Sequence, residues 1–178
     1  DDRLSEITQT HKVGSILRRI PNYYVKDTLF DRLTARKIDC PDLFHGWNNM
    51  CLHSLRTAKN SGAKTVVERA STHPTVQRRL VQEERKQFDA GEQSQNERLH
   101  ERAVTELVEA DAVFVPSEFV YESFLDQGFD EGQLYQIPFG VDHEQFAPPE
   151  DYARRESPFS ALFVGGISLR NGIQYLLP

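Results

Sequence analysis

The chain has 178 residues, 38% hydrophobic and 27% charged, which places it with ordinary globular domains and apart from disordered, low-hydrophobicity chains. Its net charge of −6, from 21 Lys plus Arg against 27 Asp plus Glu, speaks against a nucleic-acid binder with an extended basic face. No apolar run reaches the ~20 residues needed to span a bilayer.

Taken in chain order, the first recognisable element is a short amphipathic piece carrying Val13, Ile16, Leu17 and Ile20 beside Lys12, Arg18 and Arg19. Its basic side could touch a membrane surface, although a solvated or domain-packing helix explains it as well. A second helix is marked by Val25, Leu29 and Leu33 and broken before Pro41. Asp42 to Trp47 reads as a short strand followed by a turn. The next helix, with Leu52, Leu55 and Ala58 on its apolar face, should take Asn48 or Asn49 as its cap and end at Gly62.

The pattern then repeats. Thr65-Val66-Val67 is a strand, followed by charged helices over about 75–90 and 95–110, then the strand 111–115. Ser117 should cap the helix after that strand, Gly128 should close it, and Leu134 to Pro138 is the next strand. Strands alternating with helices at this spacing predict an α/β fold with a Rossmann-like parallel sheet. The continuous apolar run Ala112–Val115 predicts cover on both faces. Ligands of such sheets bind at the carboxyl ends of the strands. Cys40 and Cys51 form no CxxC pattern and read as reduced residues of a cytosolic protein.

Three stretches carry chemistry. In Leu162-Phe163-Val164-Gly165-Gly166 a strand runs into glycines, which permit close backbone approach to a ligand. A helix starting near Asn171 would aim free N–H groups at an anion, with Arg170 as an adjacent cation. The same loop also reads as a plain tight turn. The second stretch, Glu68 to Pro74, gathers Glu68, Arg69, Ser71, Thr72 and His73 at a strand end, a set suited to a polyhydroxylated ligand. His45 adds an imidazole at the neighbouring strand end. The plainer reading is a Glu68–Arg69 ion pair followed by a helix cap at Thr72 or Thr75. The third stretch, 138–146, is a rigid connection: Pro138 fixes φ, Gly140 permits a positive φ, Asp142 suits a turn, and Phe146 could pin the chain to a domain surface.

Together the segments 111–120, 137–148 and 163–177 resemble the retaining GT-B glycosyltransferases of family 4. They match an A-D-hydrophobic-S-E-F strand, a P-x-G-V-D-x-x-x-F linker and the F-V-G-x-x-S-x-R-K-G-I-x-Y-L-L start of a donor domain. The run 42–73 adds a looser match to the acceptor-side domain.

The resemblance implies a hexosyltransferase-type enzyme that moves a sugar from a nucleotide-diphospho-sugar to an acceptor with retention. It needs no cofactor and no obligatory metal. The implied organisation is a partial acceptor-side domain over 1–138, a linker over 139–157 and the first βα unit of a donor-binding domain over 158–178. Gly165, Gly166, Arg170 and Asn171 would hold the donor diphosphate. His45, Glu68, Arg69 and Ser71 would line the acceptor side, and Gly140 and Asp142 would form the hinge. The histidine that the family often places at the acceptor-side strand end, a catalytic position, is either His73 or absent, with Ala70 in its place.

Two positions depart from the pattern: Asn171 stands where the family has Lys, and Gly166 where it often has Arg. The implied whole is longer than this chain, so the chain alone is expected to be inactive. Its expected partners are the sugar nucleotide, an unknown acceptor and the rest of its own polypeptide, with no nucleic acid. Its expected place is the cytoplasm, or the periphery of the membrane's inner face. Two alternatives stand beside this reading: a non-catalytic GT-B-like binding module, and an unrelated α/β nucleotide- or phosphate-binding protein.

Overall fold

A computed structural model describes residues 22–91, 96–147 and 161–177. The amphipathic basic piece over 12–20 lies outside them, as does most of the linker. The first described helix, α1 (Tyr23–Ala35), starts at Asn22, whose side-chain oxygen accepts the N–H groups of Tyr24 and Val25. The face that packs is not the expected one. Val25 and Leu29 are exposed, and the fully buried residue of this helix is Asp31.

The order continues as β1 (Leu43–Trp47), α2 (Leu52–Asn60), β2 (Lys64–Glu68), α3 (Pro74–Gln87), α4 (Glu97–Glu109), β3 (Ala112–Val115), α5 (Glu118–Leu125) and β4 (Leu134–Gln136). The four strands form one parallel sheet in the order β1-β2-β3-β4. The register sets Leu43 opposite Lys64, Trp47 opposite Glu68, and Phe114 between Glu68 and Tyr135.

Val67, Val113, Val115 and Leu134 point from the sheet into a core closed by Leu55 of α2, Leu107 of α4 and Phe124 of α5. The other face is less covered by the described residues: Val66 is buried there, but Leu43, Trp47 and Tyr135 are more than half exposed. This corrects the expectation of cover on both faces. Four parallel strands taken in sequential order, joined by right-handed crossovers, place every connecting helix on the same side. β3 shows the result directly: Val113 and Val115 are buried, whereas Ala112 and Phe114 are only half-buried.

Cys51 holds the N-cap position of α2 without a side-chain cap bond, and neither Asn48 nor Asn49 caps it. Two carboxylates distant in sequence do so instead. Glu106 of α4 accepts the N–H groups of Asn49, Cys51 and Leu52, and Asp31 of α1 accepts those of His53 and Ser54. Arg102 joins the pair, 2.8 Å from Asp31 and 3.0 Å from Glu106. β1 approaches the same helix end so closely that a Cβ on Gly46 would lie 2.8 Å from the Cβ of Cys51.

Ser117 caps α5 as expected, and Gly62 and Gly128, both with positive φ, close α2 and α5. Near the C-terminus the expectation fails. Residues 161–164 form no strand, and Leu162 is 88% exposed. The expected helix is two short 3-10 turns, Leu169–Asn171 and Ile173–Tyr175, separated by Gly172 in the left-handed region. A strand needs a neighbour for its backbone groups, and none of the described strands lies beside this segment. It is held to α3 instead by Glu84, which accepts from Gln174 and from the Tyr175 hydroxyl.

Glu106→Ala leaves the α2 N–H groups and Arg102 without their acceptor, and is expected to cost about 3–5 kcal/mol. Cutting the half-exposed Arg56–Glu109 pair with Arg56→Ala should cost about 1 kcal/mol or less. Urea unfolding of both variants checks the contrast, and equal losses would show that the buried network does not hold the fold.

Candidate functional site

A cleft of about 800 Å³ opens at the carboxyl ends of β1 and β2. Its floor is Trp47, Asn48, Glu68 and Arg69, its sides come from α3 and α4, and the segment 168–170 closes one edge. Of the strand ends expected to carry a site, the first two meet here. The loops after β3 and β4 do not: Ser117 serves as a cap, and Asp142 accepts the N–H groups of Glu144 and Gln145 in a local turn.

Arg69 is buried, and its guanidinium is fixed by three neutral acceptors. Nε donates to the Thr72 carbonyl at 3.1 Å, one terminal nitrogen to Asn48 Oδ1 at 2.9 Å, and the other to Gln77 Oε1 at 2.6 Å. The expected Glu68–Arg69 ion pair does not form. Glu68 turns to His45 of the adjacent strand, 3.1 Å away, because alternate residues of a strand project to opposite sides and the register brings His45 and Glu68 to the same one. Burial, with the nearby Arg170 second, pushes the Arg69 guanidinium down to about 10, so it stays charged at neutral pH.

Ser71 lies in the cleft, and its hydroxyl is 3.4 Å from a terminal nitrogen of Arg170. Arg170 thus faces the strand-end run across the cleft from a segment 99 residues further along the chain. The other residues expected beside it are elsewhere. Asn171 Nδ2 donates to the Gly166 carbonyl at 2.8 Å, so Asn171 ties its own loop, and neither it nor Gly165 and Gly166 lines the cleft. With 3-10 turns in place of an α-helix, no helix dipole points at that loop. Gly140 does not adopt a positive φ, and Phe146 is exposed instead of pinned to a surface.

His73 is the clearest departure from its expected role. It is the cap of α3, accepting the Thr75 N–H on Nδ1 at 3.3 Å, in the place expected for Thr72 or Thr75. Its ring packs against Phe124 and Phe129, away from the cleft. Burial first, then Arg69 and His100, push its imidazole down to about 4, so it is neutral near pH 7. It carries no proton to the cleft.

Sequence reasoning named Asn48 as a cap candidate at a strand end, and missed Gln77 and Arg102. The signal for the last was spacing. Arg102 and Glu106 fall on the same helical stripe as Ala103, Leu107 and Ala110, at positions where a solvated helix would carry its apolar face. Among the described residues, no group of three or more His, Cys, Asp and Glu side chains is placed to hold a metal ion, and no helix is long and apolar enough to cross a membrane. Both free cysteines lack a partner. Cys40 is exposed, and Cys51 is buried with its thiol pushed far up by that burial, so it is unreactive.

Comparison with known proteins finds no matching family model, no matching curated protein and no matching solved structure.

The depressed His73 ionisation has a defined pH signature. The unfolded chain binds a proton near pH 6.5 that the folded chain refuses until about pH 4. The stabilisation is therefore complete above pH 6.5 and lost as pH falls towards 4, by up to about 3 kcal/mol. His73→Asn keeps a capping oxygen and should flatten that part of the stability profile, as read from urea midpoints between pH 7 and pH 4.

Proposed function

We propose that the chain is part of a retaining GT-B glycosyltransferase, with the cleft at the β1 and β2 ends as its acceptor-side floor. The observation that carries this reading is the convergence on one cleft of the strand-end run 68–71 and the segment around Arg170. These are the stretches whose motifs resemble the acceptor and donor sides of that family. The reading is supported by a parallel α/β sheet whose ligand-facing edge is the one the cleft occupies.

In such a transfer the bond from the sugar to the nucleotide diphosphate breaks, and negative charge grows on the departing phosphate oxygen. Fixed cations around that oxygen lower the barrier because they attract it more strongly in the transition state than in the ground state. Arg170 is the donor-side cation in reach of the cleft. Glu68 and Ser71 can orient acceptor hydroxyls, the carboxylate by accepting and the hydroxyl by doing either.

A second reading is favoured by Asn171. It stands where the family pattern has a lysine, and it spends its side chain on the Gly166 carbonyl. A protein that keeps the cleft but lacks that cation would bind a nucleotide sugar without turning it over.

Calorimetric titration of the full-length protein that carries this chain with UDP, GDP and ADP should show saturable binding of one of the three, weakened about 10–150-fold by Arg170→Ala. Release of nucleotide from the matching sugar nucleotide then separates the two readings, since binding without turnover belongs to the second. Binding of none of the three removes both.

A further inference from the structure

We propose that Glu84 of α3 is a positioning residue for the cleft: from outside it, through Gln174 and Tyr175, the carboxylate sets where the edge formed by Ser168, Leu169 and Arg170 stands. The proposal goes beyond the reading above and holds whichever ligand the cleft takes.

The segment 161–177 has little else to hold it. Leu162, Val164, Ile167, Leu176 and Leu177 are all more than half exposed, so apolar burial contributes little to its attachment. Among the described residues three of its side chains form hydrogen bonds outside the segment. Arg170 makes a long one, 3.4 Å from the Ser71 hydroxyl. The other two end on Glu84: Gln174 Nε2 donates to it at 3.0 Å, and the Tyr175 hydroxyl lies 2.8 and 2.9 Å from its two oxygens. Glu84 enters no ion pair among the described residues, so its charge is left to serve these two donors.

The end of α3 is matched to this segment. Phe88, four residues after Glu84, stands one turn further along the helix. Its ring meets that of Tyr175 edge-on, with centroids 5.6 Å apart, while the carboxylate takes the hydroxyl. Gln77, Arg78, Val81 and Arg85 of the same helix line the cleft, so Glu84 stands beside the cleft without lining it. The hydrogen bond to Glu84 is the leading cause that pushes the Tyr175 phenol up, as a neutral donor held by a carboxylate should be.

Gln174 carries the constraint to the cleft. Its amide nitrogen donates both to Glu84 and to the Leu169 carbonyl, each at 3.0 Å. Leu169 and Arg170 belong to the first 3-10 turn, Gln174 and Tyr175 to the second, and Gly172 in the left-handed region separates them. One amide therefore braces the two turns against each other and ties both to α3. Turning it over would set its oxygen against the Glu84 carboxylate and the Leu169 carbonyl, which fixes its orientation. A glutamine at position 84 could not replace the carboxylate, because it accepts on one oxygen only and its own NH2 would face a donor.

The test is amide hydrogen exchange at neutral pH in the full-length protein that carries this chain, comparing Glu84→Gln and Tyr175→Phe with the control Glu83→Gln, whose carboxylate pairs with Arg79. The amides of Asn171 and Gly172 report on the first turn, those of Tyr175 and Leu176 on the second. Glu84→Gln should speed exchange of all four about fivefold, and Tyr175→Phe by less. The amides of β2 and β3 and the urea midpoint should stay unchanged, as should everything in the control. Tyrosine ring resonances give a second readout: the Tyr175 phenol should titrate at lower pH in Glu84→Gln than in the unaltered protein. Unchanged exchange, or an unchanged phenol titration, overturns the proposal. So does faster exchange confined to Tyr175 and Leu176, since the constraint would then stop short of the cleft edge. Faster exchange throughout the protein with a lower urea midpoint also overturns it, showing Glu84 to be an ordinary structural residue. No nucleotide enters the measurement, so its failure is distinct from that of the glycosyltransferase reading.

Discussion

The structure depends on one buried electrostatic arrangement, the Asp31–Arg102–Glu106 triad at the start of α2. All three side chains are at most 5% exposed. Burying three charges is costly, and the cost is offset only because every lone pair is used. Asp31 accepts from two backbone N–H groups, the Ser54 hydroxyl and Arg102. Glu106 takes five donors. Burial pushes the Glu106 carboxyl up, while the N–H groups and Arg102 pull it back toward the ionised form. The triad thereby fixes α1 and α4 to the same turn of α2, and through that turn to β1.

From there the network passes to the cleft. Asn48 donates to Glu106 and to the Ala103 carbonyl, and its own oxygen accepts from Arg69. Arg69 is held in turn by Gln77 of α3. A helix cap and a cleft-lining guanidinium are thus two ends of one hydrogen-bonded chain. Arg69 is positioned by the same acids that build the fold, yet it touches none of them. That separation is what leaves its charge directed at the cleft.

The four strands and most helices were legible because apolar continuity and spacing are local properties of the chain. Val67, Val113 and Val115 declare themselves in any window. The capping of α2 was not legible in the same way. Asn48 and Asn49 are good cap residues by type, but cap choice here is decided by carboxylates 22 to 57 residues away in sequence. His73 misled for a related reason: a histidine in a polar run reads as a loop group, and only packing against Phe124 and Phe129 shows it to be a buried cap. Around Gly165 the glycines suggested a strand-to-helix phosphate loop. Their apolar neighbours form neither element, because no strand stands beside them and Gly172 breaks the turn. What survived from that motif is Arg170.

The cleft also shows why net charge is a poor guide to a site. The chain as a whole carries −6, and long-range attraction should favour cations. Yet Arg69, Arg78, Arg85 and Arg170 line one cleft against Asp27 and Glu68. Glu97 neutralises Arg78, whereas Arg85, held by the neutral carbonyls of Ala90 and Gly91, keeps its charge as Arg69 and Arg170 do. At physiological salt the Debye length is about 8 Å, so an anion in the cleft feels these cations far more than charges on distant parts of the surface.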